Sequence, residues 1–165
     1  MGEGTCFTVT FEHRIADEEC IELNQELDVL DGKSVLQGKH VLLVEDNELN
    51  AEIAMAILEQ SGLILDRVED GLACINRLSE VDADLYDLIL MDIQMPNVNG
   101  YEATRRIRQF KNLKKASIPI LAMTANAFEE DKKMAMEAGM NGHISKPIDV
   151  NALENQIINL FKKVS

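Results

Sequence analysis

Five short apolar runs alternate along this chain with stretches of helical periodicity, and that alternation limits the available folds more than any other feature. The runs are His40–Val44, Ile64–Val68, Leu85–Met91 (apolar except for Asp87), Ile118–Met123 and Gly142–Ser145. Between them, apolar residues recur at three- and four-residue steps. Leu49, Ile53, Ala56 and Ile57 mark a helix that Gly62 stops, and further helices are predicted over Leu72–Leu78, Gly100–Phe110 and Phe128–Ala138. Asp149 reads as the N-cap of a last helix with Leu153, Ile157, Leu160 and Phe161 on one face. Short apolar strands alternating with helices imply a parallel sheet covered on both faces. The predicted fold is α/β: a doubly wound, five-stranded parallel sheet with five helices. Its crossovers must be right-handed, which leaves only a few strand orders.

Charge narrows the partners. The chain has 16 basic and 29 acidic residues, a formal net charge of −13. Such a surface repels a phosphate backbone, so nucleic acid is not an expected partner, whereas basic protein patches and divalent cations suit it. No apolar run approaches the ~20 residues that span a bilayer, and no basic segment precedes an apolar one at the N-terminus. Neither membrane contact nor a signal peptide is expected. Cys6, Cys20 and Cys74 are scattered, odd in number and outside any metal-ligand spacing, which reads as reduced thiols in a cytoplasm. Cys74 reads as a small buried hydrophobe, and Met123, Met134, Met136 and Met140 as core or helix-surface filler.

In doubly wound sheets, chemistry gathers outside the carboxyl ends of the strands. Here the first strand ends in Glu45-Asp46, the third in Asp92 and the fourth in Thr124, and the fifth runs into Lys146-Pro147. A parallel sheet crowds these side chains onto one edge. Three adjacent carboxylates repel one another, and a hard divalent cation with oxygen ligands relieves that repulsion. Mg²⁺ is the expected cofactor, because it keeps waters and takes only a few protein ligands: one or both of Glu45 and Asp46, with Asp92 and a backbone carbonyl just beyond Asp92. A metal site alone would not require Thr124 and Lys146, but a phosphoryl group would. An aspartate can act as a nucleophile and form an acyl phosphate, whose charge the ammonium and the hydroxyl would meet. Taken singly, Asp92 could merely cap a loop and Lys146 could be a solvated lysine; their company argues otherwise. Asn47 and Glu48 are expected to cap the first helix beside the site.

The strings Val44-Glu45-Asp46-Asn47, Met91-Asp92-Ile93-Gln94-Met95-Pro96, Gly100, Thr124-Ala125 and Lys146-Pro147 resemble the signature of two-component response-regulator receiver domains, over residues 38–164. The resemblance implies a flavodoxin-like strand order 2-1-3-4-5. It implies Asp92 as phosphoacceptor, Glu45 and Asp46 as the acidic pair serving Mg²⁺, and the Gln94 backbone carbonyl as a further metal ligand. Lys146 would hold a phosphoryl oxygen, with a cis bond to Pro147, and Thr124 would be the switch hydroxyl. Where the family often has an aromatic switch residue, this chain has His143. Gln94 and Asn126 are expected to tune the lifetime of the acyl phosphate, which should hydrolyse slowly by itself.

The longer strings around Glu45 and Met123 resemble receivers of hybrid sensor histidine kinases. Gly2–Phe11 likewise resembles the closing strand of a kinase ATP-binding domain. The expected organisation is a kinase remnant over 1–19, a linker over 20–37 that could include a short helix, and a receiver over 38–164. Gly-rich nucleotide loops are absent, so no kinase activity is expected here, although the parent chain would be a histidine kinase that a membrane could anchor. The implied partners are a histidine kinase dimerisation/phosphotransfer domain and a histidine phosphotransfer protein, the latter docking near Leu49 and Ile53. The final helix and its neighbour could form a dimer face. The alternative is a stand-alone single-domain response regulator acting through protein–protein contacts. A phosphatase-type enzyme would need a second acid two residues past the nucleophile, where Gln94 stands.

Overall fold

The computed structural model describes residues 34–125 and 129–164. Its elements are β1 (His40–Val44), α1 (Glu48–Gln60), β2 (Ile64–Val68), α2 (Gly71–Glu80), β3 (Leu88–Asp92), α3 (Gly100–Arg108), α4 (Leu113–Ser117), β4 (Ile120–Thr124), α5 (Glu129–Ala138), β5 (Gly142–Ser145) and α6 (Val150–Val164). The strands form one parallel sheet in the order β2-β1-β3-β4-β5, as the resemblance implied. Every residue of β3 and β4 is buried, because helices cover both faces of these central strands.

Two apolar layers flank the sheet. One joins Val41, Leu43, Leu88 and Leu90 to Ala54 and Leu58 of α1 and to Leu153, Ile157 and Phe161 of α6. The other joins Leu42, Ile89, Met91 and Ile120 to Cys74 and Leu78 of α2, Ile107 of α3 and Ala135 of α5. Alternate residues of β1, β3 and β4 thus enter opposite layers, as the two-residue period of a strand requires. Cys74 sits in the second layer, and burial pushes its thiol up to about 12. Met123 and Met140 are buried, while Met134 and Met136 are exposed on α5.

The helix ends follow local chemistry. Asn47, Asp70 and Asn99 each accept a backbone N–H from the first turn of α1, α2 and α3. Asp149 accepts from the Ala152 N–H at 2.8 Å, as its predicted capping role requires.

Three features depart from the sequence reading. α4 is a sixth helix where five were expected. It is five residues long, capped by Asn112 and without a buried residue, so it leaves no apolar periodicity to read. β3 begins at Leu88 rather than Leu85, because the Asp87 carboxylate instead binds Lys39 Nζ at 2.8 Å and the His40 N–H at 2.9 Å. The core also reaches back past Gly38. Residues 34–36 form a helical turn, and Leu36 is 0% exposed within the first apolar layer. The expected kinase remnant at 1–19 and the linker up to residue 33 lie outside the described residues.

Arg108, at the end of α3, gathers the loops below the sheet. Its guanidinium donates to the carbonyl oxygens of Gly139, Ala116 and Ile118 and to Asn141 Oδ1, at 2.7–3.0 Å.

Candidate functional site

Parallel strands deliver their last residues to a common edge, and β1, β3, β4 and β5 do so here. The register pairs Val44 with Met91, Asp92 with Met123 and Thr124 with Ser145. Glu45, Asp92 and Lys146 therefore converge. Lys146 Nζ donates to Asp92 Oδ2 at 2.7 Å and to Glu45 Oε2 at 2.5 Å. The other Glu45 oxygen accepts from Asn50 Nδ2 at 3.1 Å, and Asp92 Oδ1 accepts from the Gln94 N–H at 3.2 Å. Glu45 is 2% exposed, so its charge is tolerated only because both of its oxygens are engaged.

The electrostatics follow from burial. Burial pushes the Asp92 carboxyl above its ordinary range; Lys146 opposes that rise and the Glu45 charge adds to it. Burial pulls the Lys146 ammonium down, but its bonds to Asp92 and Glu45 outweigh this, so it stays protonated further into the alkaline range than a free lysine.

Asp46 is exposed and completes an acidic trio with Glu45 and Asp92, each offering one oxygen within 4.8 Å of the others. An all-oxygen, anionic set open to water on one side suits Mg²⁺, which retains several waters. The donor set fits.

The backbone around the acids is packed without slack. A Cβ on Gly100 would land on the Asp92 carbonyl oxygen, so only glycine lets α3 approach the end of β3. The Gly100 N–H donates to the Ile93 carbonyl at 3.1 Å. Asn97, at φ 61°, donates through Nδ2 to Asp70 Oδ2 at 2.7 Å and so joins the loop after β3 to the start of α2. The Lys146–Pro147 bond is cis.

Thr124, the last residue of β4, is buried, and its carbonyl accepts the Lys146 N–H at 2.7 Å. His143 stands half-buried on edge strand β5, and its carbonyl accepts from Gln156 Nε2 at 3.0 Å. Asn126 lies outside the described residues. The sequence reading passed over Asn50 and Arg67, which touch Glu45 and Asp46. Asn50 carried a legible signal, since it lies in the first turn of the helix that starts just past the acidic pair.

The response regulator receiver domain family matches residues 41–158. The chain belongs to this family. The receiver is 39% identical over 153 residues to hybrid signal transduction histidine kinase L of Dictyostelium discoideum, covering 89% of this chain and 8% of that protein. It spans less than a fifth of the length of the curated relatives it matches, from 8% to 18% for two of them. Among solved structures it resembles the receiver domain of the sensor histidine kinase PA1611 of Pseudomonas aeruginosa PAO1, which has a magnesium ion coordinated in its active-site cleft. That likeness has 37% identity and a TM-score of 0.64, covering 73% of this chain and 94% of that one. It also resembles a Saccharomyces cerevisiae co-crystal structure of the histidine phosphotransfer protein Ypd1 with the receiver domain of its downstream response regulator Ssk1. There the identity is 30% and the TM-score 0.67, covering 74% of this chain and 88% of that one. No described helix is long and apolar enough to cross a membrane.

Proposed function

We propose that this receiver domain is a relay module of a phosphorelay, taking a phosphoryl group onto Asp92 from a phosphohistidine and handing it to a histidine phosphotransfer protein. The observation that carries this reading is the double contact of Lys146 with Asp92 and Glu45 beside exposed Asp46. An Asp92 oxygen attacks the phosphorus of the phosphoimidazole, the P–N bond breaks, and the departing imidazole takes up a proton. Onward transfer reverses these bonds on a second imidazole. Lys146 holds a phosphoryl oxygen, and the Thr124 hydroxyl moves toward the phosphoryl group once it has arrived.

Glu45, Asp46, Asp92 and the Gln94 backbone carbonyl would hold Mg²⁺. When bound, it offsets charge on the transferring group. Its presence in the PA1611 cleft supports the assignment. Gln94 and Asn126 set the lifetime of the acyl phosphate, and His143 serves as the second switch residue.

The partner docks beside the site. Leu49 is 65% exposed and Ile53 52%, next to a cleft of about 200 Å³ lined by Glu45, Asn50, Ile53, Lys146, Pro147 and Ile148. Exposed apolar residues at the lip of a reactive cleft suit a helical partner carrying the accepting histidine. The Ypd1–Ssk1 co-crystal supports a partner of this class. A curated sensor kinase that matches 98% of the chain reaches into residues 1–19, which supports reading them as the end of a kinase ATP-binding domain. The parent would then be a hybrid sensor histidine kinase whose own phosphotransfer domain donates the phosphoryl group in the cytoplasm.

Incubation with Mg²⁺ and acetyl phosphate, read by intact mass, tests the reading. The wild type should gain one phosphoryl group and Asp92→Asn none. Equal labelling of both would reject Asp92 as the acceptor.

A further inference from the structure

A side chain from the edge of the sheet reaches the loop that carries the two metal-site acids. Arg67 lies in β2 opposite Leu43. Its guanidinium donates to the Glu45 carbonyl oxygen from two nitrogens, at 3.3 and 3.2 Å, and to the Asp46 carbonyl oxygen at 3.5 Å. Those carbonyls lie just past the end of β1. A peptide group there needs a partner from elsewhere. The ladder itself continues one step beyond the strand, since the Glu45 N–H donates to the Val68 carbonyl at 3.1 Å. Glu45 is therefore held on its N–H by the backbone of β2 and on its carbonyl by a β2 side chain.

We infer that Arg67 is a positioning residue, which fixes the Glu45–Asp46 peptide units so that both carboxylates stay turned toward Asp92 for cation binding. This rests on the Mg²⁺ reading of the site. The planar fork is the relevant property, because two nitrogens share one carbonyl and a third contact reaches the next. A lysine ammonium carries the same charge but cannot reproduce that geometry.

The inference and a bare charge effect predict opposite results. Arg67 is a cation close to an acidic cluster, so if only its charge mattered, removing it would tighten Mg²⁺ binding and Arg67→Lys would match the wild type. If it positions the loop, both Arg67→Lys and Arg67→Met bind Mg²⁺ more weakly, by roughly tenfold, since residues that orient metal ligands typically carry 10- to 100-fold in affinity. Calorimetric titration of Mg²⁺ into the three metal-free proteins decides between them. Binding by Arg67→Met as tight as the wild type or tighter overturns the inference, as does wild-type affinity in Arg67→Lys.

A second readout needs no metal. Amide hydrogen exchange at residues 45–47 should quicken in both variants of the metal-free protein while β3 and β4 keep their protection. Unchanged exchange at 45–47 overturns the inference, and so does loss of protection throughout the sheet in both variants, which would make Arg67 a residue of general stability. A wild type that fails to bind Mg²⁺ counts against the reading of the site, and the exchange data then judge Arg67 separately.

Discussion

The Lys146 ammonium lies 2.7 Å from Asp92 Oδ2 and ties the end of β5 to the end of β3, strands with β4 between them. The same nitrogen contacts Glu45 beyond β1, so one cation spans the whole reactive edge.

Removing that cation leaves two buried carboxylates side by side. Arg at this position would keep the charge and Ala would also remove the stem, so Lys146→Met is the cleaner change. It should lower stability by about 3 kcal/mol at neutral pH, the order seen when a buried ion pair loses one partner. Urea denaturation without divalent cations measures the loss, which should shrink in acid as the Asp92 carboxyl, raised chiefly by burial, takes up its proton.

Asp92 itself weakens the fold at neutral pH. Its carboxyl is raised above the ordinary range chiefly by burial. A raised acid costs nothing while protonated and destabilises as pH climbs from about 3.9, the free-aspartate value, through the raised one. Asp92→Asn keeps the neutral form at every pH. Its melting temperature should exceed the wild type's at neutral pH, and the gap should close as the solution is acidified to below the free-aspartate value. A constant gap across that range would contradict the assignment.

Asp70 behaves with the opposite sign. The Ala73 N–H, and then the Asn97 side chain, hold its carboxyl below the usual range. Its contribution is therefore complete above the free-aspartate value and is lost as pH falls through the depressed one. Asp70→Ala removes the cap of α2 and should cost about 1 kcal/mol at neutral pH. Comparing denaturation midpoints with the wild type at neutral and strongly acidic pH should show that deficit fading in acid.

Gly100→Ala places a methyl group against the Asp92 carbonyl oxygen, with Met91 Cγ at 3.0 Å. Overpacking of this kind costs about 1–3 kcal/mol. Because the obstructed atom belongs to Asp92, acetyl-phosphate labelling should also slow. Stability lost with an unchanged labelling rate would separate the glycine from the chemistry.

The strands and the long helices were legible because a two-sided sheet writes itself as apolar runs, and amphipathic helices write themselves as three- and four-residue steps. Glu45, Asp92 and Lys146 could be placed together from sequence because parallel strands end on a common edge. Other features depended on contacts that no local pattern encodes. Asp87 interrupts an apolar run, and only the Lys39 and His40 contacts reveal that it precedes the strand. Arg67 reads as an ordinary charge on an edge strand until the register brings it under Glu45. Arg108 reads as one more cation at a helix end, yet its partners are carbonyl oxygens at the end of α4 and just past the end of α5. Leu36 lay in the stretch read as a linker, and only the tertiary core shows where it goes.

That buried leucine changes how tether length should be counted. Leu36 sits in the same apolar layer as Phe161 of α6, and the Gly38 N–H donates to the Gly62 carbonyl at 2.8 Å, so the chain is anchored before β1 begins. If a phosphohistidine upstream in the same polypeptide feeds this domain, the effective concentration of donor around Asp92 is set by the residues preceding Ser34, not by those preceding Gly38.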